Sequence, residues 1–477
     1  MNSAQSTTLN TGFTSTNALS LTVSGTGTLS EGSGNVYRNF ILTSFTGTLN
    51  NVARTLYGNF TIGSSTTLNA GTNITTLALV GTQTITSNSK TLDFPLTQSG
   101  IAGTVALSGN LTLGTTRAYT QTGGTLSLAA NTLSVGIYSC SSGNTPAVSL
   151  SAGGNIVITG NATTVLTLSS ATNWNSVPIS LSYSGATGTR AIAGASNPSS
   201  NPPVVTIPSG TDTVSLSSSA SCFASLGLTG FGGTLITGGT TYAFNVTQNA
   251  ATTVTIGASP SAGLTLNAAN TYTLTSGTLT ISNGLSVGRL SSSNTNTRQI
   301  NNNGGTITLT GSGTVWDLAT TTNLTYTGNN SINFINSTAS ARTFNGGGLT
   351  YGPISANNPA SGSTLTFTGA NTFNTFTMSS GVPTTLVFPA STTTTFTSLV
   401  VNGAVGNLVS ITSSSFGTQA TLSSANNNNA YYTSIQDSAA TGGGTWQAYT
   451  SNGNVDNGNN TGWVFTAPAT GKFLQLF

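Results

Sequence analysis

One block of this chain is written twice, and the repetition constrains the fold more than any other feature. The first copy opens Tyr119-Thr120-Gln121-Thr122-Gly123-Gly124-Thr125-Leu126-Ser127-Leu128 and reaches Leu133-Ser134-Val135-Gly136. The second opens Tyr272-Thr273-Leu274-Thr275-Ser276-Gly277-Thr278-Leu279-Thr280-Ile281 and reaches Leu285-Ser286-Val287-Gly288. Further on, Gly153-Gly154-Asn155-Ile156 answers Gly304-Gly305-Thr306-Ile307, and Arg190 answers Arg342. The three landmarks recur at offsets of 153, 151 and 152 residues, so a common register survives small insertions. Self-similarity at fixed spacing, written in short apolar/Thr alternations, is the signature of a stacked β architecture.

The strands are short and close together. From residue 363 onward, Leu365-Thr366-Phe367, Phe376-Thr377-Met378, Leu386-Val387-Phe388, Leu399-Val400-Val401 and Leu408-Val409-Ser410-Ile411 follow one another with Gly/Asn/Ser/Thr corners between them. Alternation places one set of side chains inward and the Thr/Ser set outward. Strands of this length without a hairpin Asn-Gly between each suit the sides of a parallel β-helix with coils of roughly 20–25 residues. In such a fold Asn or Thr ladders at the corners would satisfy backbone groups. The expected fold is therefore all-β, a parallel β-helix (β-solenoid) with an internal duplication of about 152 residues. No window carries the helical apolar period.

The organisation reads as four parts. Residues 1–118 form an N-terminal strand-repeat region and 119–250 the first solenoid block. Residues 251–430 form the second block with the coils after it, and 431–477 an aromatic-rich C-terminal segment. That last part holds Tyr431, Tyr432, Trp446, Tyr449, Trp463, Phe465, Phe473 and Phe477. It reads as a cap over the open final coil or as an attachment surface. Two proline-bearing stretches, Asn197–Pro203 and Asn357-Asn358-Pro359, interrupt the strand pattern as loops at similar points after the two copies.

Charge decides what this surface can do. Only 3% of residues are charged, against a typical ~25%. Nine Lys/Arg are spread thinly, so the net charge of +3 is no nucleic-acid footprint. No run of 18 apolar residues exists, which excludes a helical membrane span. The start, Met1-Asn2-Ser3-Ala4-Gln5-Ser6, lacks a basic region followed by an apolar core. On this reading the chain reaches the outside by another route, such as virion assembly and lysis, or its true N-terminus is missing.

Chemistry-bearing residues are scarce. With no histidine, the serine and cysteine triads and the usual zinc sites are out of reach. The six carboxylates are Glu31, Asp93, Asp212, Asp317, Asp437 and Asp456, none close to another in sequence. A tailspike-type depolymerase would need two of them about 5–9 Å apart. We expect no catalytic, cofactor or metal site. Asp456-Asn457-Gly458-Asn459-Asn460 could hold a calcium ion weakly but reads better as a tight Asx turn. Cys140 and Cys222 make no metal pattern. They are either buried small residues or a disulfide between neighbouring coils. Thr-x-Thr steps such as Thr82-Gln83-Thr84 look like ordinary strand alternation rather than an aligned ice-binding face. Arg190 and Arg342 end the two copies. Each is an inter-coil or inter-subunit clamp using the five-donor guanidinium, or a solvent-facing turn residue.

Several segments resemble a family. These are Gly109–Gly114 leading into Tyr119–Gly136, Arg298-Gln299-Ile300, Gly313–Leu318 and Arg342–Tyr351. With the ending Ser434–Ser438, Gly442–Trp446 and Asn459–Phe465, they are similar to β-strand-repeat structural proteins of marine tailed phages and to some bacterial surface proteins. The likeness covers most of residues 100–465. It implies a virion-associated tail fibre, adhesin or decorating protein, on the virion surface or extracellular, without carrying over any catalytic residue. Partners expected on that basis are other virion or filament subunits, a second copy of the chain, and host cell-surface carbohydrate. A bacterial surface adhesin or filament subunit is the alternative, and a depolymerase the second.

Overall fold

In the computed structural model the described residues are 14, 16–78, 80–151, 153–168, 173–183, 188–194, 201–217, 223–257, 262–335, 338–357 and 359–467, with backbone only for 141–145. By internal packing the chain divides into two compact units, Met1–Thr252 and Thr253–Phe477. Each is a β-solenoid. Among the described residues, the strand pairings within each unit are parallel. A lone antiparallel bridge, Ala404 to Asn407, closes a tight corner. The one-turn 3-10 segment Thr450–Asn452 is the only helix among the described residues, and it is far too short to cross a membrane.

Inside the first unit, the strand-by-strand register builds an aliphatic column one residue wide. Leu111 lies beside Leu133, then Ile156, Ile179, Val205, Leu226 and Val246 in successive coils. All seven are fully buried. The second unit repeats the device with Leu264, Leu285, Ile307, Ile332, Ile354, Phe376 and Leu399. Side chains alternate across a strand, so the residue after each column member points outward. Burial of these columns removes apolar surface at roughly 25 cal/mol per Å². Their β-branched and Leu side chains pack well on a pleated surface.

The corners explain the Gly and Asn content. A Cβ on Gly136 would lie 2.2 Å from the Thr115 carbonyl oxygen, and one on Gly160 2.2 Å from that of Gly136. Gly288 and Gly311 stand in the same relation to Ala268 and Gly288. Coils at these corners approach too closely for any side chain. Asparagines stitch other corners. The Asn39 Oδ1 accepts from the Asn59 N–H and the Asn59 Oδ1 from the Thr84 N–H. Asn357, Asn428, Asn454 and Asn460 do the same for Ser379, Leu399, Thr433 and Ser438. Each amide satisfies a backbone donor one coil away that the turn would otherwise strand.

The described part of the C-terminal segment is built as further coils. Trp446 pairs in register with Asn428 and with Trp463, and both indoles point inward with ring centroids 5.0 Å apart. Tyr431 is exposed, while Phe473 and Phe477 lie outside the described residues. Cys140 is buried on the strand Ile137–Leu150, and Cys222 is outside the described residues. So are Asn197–Ser200 and Asn358 of the two proline-bearing stretches.

Candidate functional site

Stacking aligns hydroxyls that the linear sequence scatters. On one face of the first unit, Thr55, Thr76, Thr97, Thr120, Ser139 and Thr167 follow one another in register, one per coil. Each alternates with an inward residue and is partly exposed. The second unit carries two such columns side by side. One runs Thr364, Thr385, Ser410, Ser434 and the other Thr343, Thr366, Val387, Thr412. Neighbouring strands lie ~4.8 Å apart and like-facing residues along a strand ~6.6 Å apart. The result is a two-dimensional array of uncharged side chains, hydroxyls at every named position but Val387.

The charged side chains are mostly used up holding coils together. Arg54 meets Glu31 at 2.7 Å, both buried, and Glu31 also accepts from the Tyr37 hydroxyl at 2.6 Å. Burial first, then the Glu31 charge, pushes the Tyr37 phenol well above its usual range. Arg190 grips Asp212 in a fork, Nε to Oδ2 at 2.5 Å and Nη2 to Oδ1 at 2.8 Å, 22 residues on and one coil along. Arg117 meets Asp93 at 2.7 Å and Arg289 meets Asp317 at 2.5 Å, both closer to the surface. Arg190 is thus an inter-coil clamp, with its guanidinium also over the Tyr183 ring at 5.3 Å.

Two buried arginines lack a carboxylate. Arg298 donates to the carbonyls of Ser292, Asn296, Thr320 and Thr322, so its charge rests on backbone dipoles. Burial lowers its pKa. Arg342 gives one bond, Nη2 to the Ile335 carbonyl at 3.0 Å, and its Nε is buried without a partner. Burial pulls this group down to about 10.

The last two acids lie in the final coils. Asp437 is buried and accepts from the Gly417 N–H and the Asn459 amide. The Asp456 Oδ1 accepts from the Gly458 N–H and the Asn460 amide, which makes 456–460 an Asx turn. No group of three His, Cys, Asp or Glu side chains suited to a metal occurs among the described residues.

A second polar feature lies inside the first unit, where alternation alone would place apolar residues. Gln98 and Gln121 are fully buried, in register with each other and with Cys140. Gln98 accepts from the Tyr119 hydroxyl at 2.7 Å and Gln121 from the Tyr138 hydroxyl at 2.6 Å. Their amides donate to the carbonyls of Gly123, Gly124 and Ala147. Desolvation holds both phenols protonated far above the usual tyrosine range. These are structural bonds, closed on themselves.

Fold and surface together define a class: parallel β-solenoid units with a hydroxyl-rich, charge-poor exterior. Compared with known proteins, the chain matches no family model, no curated protein and no solved structure.

Proposed function

We propose that this chain is a non-enzymatic structural protein of the fibre or adhesin kind, carried on the outside of a virion, with a surface that docks on host glycans. The observation that carries this reading is the paired hydroxyl columns of the second unit, Thr364 to Ser434 beside Thr343 to Thr412. A repeating uncharged array can exchange hydrogen bonds with an extended polysaccharide without desolvating ions. The charged groups support it too, since four of the six carboxylates are tied to arginines as coil braces.

The test is immunogold labelling of intact tailed-phage particles with antibody to the full chain, beside a glycan array probed with the same chain. Label on fibres or tails and retention on surface polysaccharides are expected. Label on bacterial envelopes alone would shift the reading to a cell-surface adhesin. Protein found free in cytosol would overturn it, and measurable sugar cleavage would replace it with a depolymerase.

A further inference from the structure

Arg190 and Arg342 occupy the same place in their strands. Each is the second, inward residue, in Thr189–Gly194 and Ala341–Asn345 respectively. In the next coil Arg190 lies opposite Val214 and Arg342 opposite Leu365. Two residues before Val214 stands Asp212, the carboxylate that Arg190 grips. Two residues before Leu365 stands Ser363. The second unit therefore has a serine where the first has the counter-charge.

The missing carboxylate leaves marks. Arg342 is only 5% exposed, and its Nε has no partner. The Ser363 Oγ is likewise buried and unpaired. Both line a small, partly open cavity of about 20 Å³, together with Phe334, Ala356, Leu365 and Met378. Its inner end has room for about one small occupant. A buried guanidinium without a counter-charge is costly unless something neutralises it. Water would accept the two hydrogen bonds and leave the charge. A halide accepts both and cancels it.

We infer that Arg342 and Ser363 form a site for a single halide ion, chloride in ordinary buffers, which stands in for the carboxylate that Asp212 supplies in the first unit. The ion joins two coils and stabilises the second unit by mass action.

The experiment measures the melting temperature of the full chain in sodium chloride and sodium bromide against sodium gluconate at equal ionic strength. At about five times the dissociation constant, the halides are expected to raise the second unit's Tm by about 2–4 °C over gluconate, with saturation. Ser363→Asp supplies the carboxylate within the chain, and the halide shift should vanish in it. A bromide-soaked crystal of the unaltered chain should give an anomalous peak beside Arg342 Nε, which decides the matter even where the variant folds poorly. Equal Tm in halide and gluconate, a halide shift that persists in Ser363→Asp, or no anomalous peak would each overturn the site.

Discussion

The interiors of the two units are filled in different ways. The first holds a bonded ladder, Gln98 and Gln121 with Tyr119 and Tyr138, plus two buried Arg–carboxylate pairs. The second holds an aromatic ladder. Trp316 stacks on Phe344 at 5.4 Å, Phe344 neighbours Phe367 at 5.8 Å, and Phe367 stacks on Phe388 at 5.2 Å. A parallel coil pairs its own backbone with its neighbours, so it tolerates either filling. The fillings differ in what they specify. Amide and guanidinium groups must meet particular carbonyls or carboxylates, which sets the register between coils, whereas stacked rings contribute burial with looser geometry.

The largest expected effects come from removing one fully buried contact residue in each interior. Phe367→Ala should destabilise the second unit by about 3–5 kcal/mol, because a ring touching Phe344, Phe373, Phe376 and Phe388 leaves a cavity. Arg190→Met should cost the first unit a similar ~3–5 kcal/mol by stranding Asp212. Hydrogen exchange followed peptide by peptide assigns each loss to its unit. A loss of protection spread equally over both would break the comparison.

Next in size is Tyr138→Phe, expected to cost about 1–3 kcal/mol because the Gln121 Oε1 is left unsatisfied in the interior. Denaturant unfolding reads it directly. Alkaline pH sharpens the contrast further. The buried phenols of Tyr119, Tyr138, Tyr272 and Tyr351 are held above the ordinary 10.0 by desolvation. A folded value above the unfolded one means that their stabilising effect is complete below pH ~10 and is lost as pH rises beyond it. Arg342 runs the opposite way. With a folded value of about 10 against an ordinary 12.5, its cost is full below pH ~10 and eases above. Stability measured from pH 8 to 12 should therefore fall, with Arg342→Met steepening the fall in the second unit.

Arg342→Met in gluconate is the small counterpart of Arg190→Met. It should change stability by no more than about 1 kcal/mol, in the stabilising direction, because no carboxylate is stranded.

Parallel stacking was legible in the short alternations and the Gly/Asn corners, because a strand's two-residue period survives in any single stretch. Three features were not. Which arginine meets which acid depends on coil length, and the four pairs are separated by 22, 23, 24 and 28 residues. The hydroxyl columns hide for the same reason, since Thr97 and Thr120 become neighbours only once the coil is wound. Gln98 and Gln121 defeat the rule that polar residues face out. Their signal was present in Tyr119-Thr120-Gln121, where a glutamine falls on the same strand face as a tyrosine.

The most direct measurement is a pair of cysteine cross-links on the outward column of the first unit. Coils stacked in parallel hold Thr97 and Thr120 ~4.8 Å apart, within disulfide reach, and Thr97 and Ser139 at twice that distance. Oxidation of the T97C/T120C protein, with the bond mapped by mass spectrometry, should give a near-complete disulfide, and T97C/S139C should give none. Failure of the first pair to join, or equal joining of the second, would contradict the stacked-coil account.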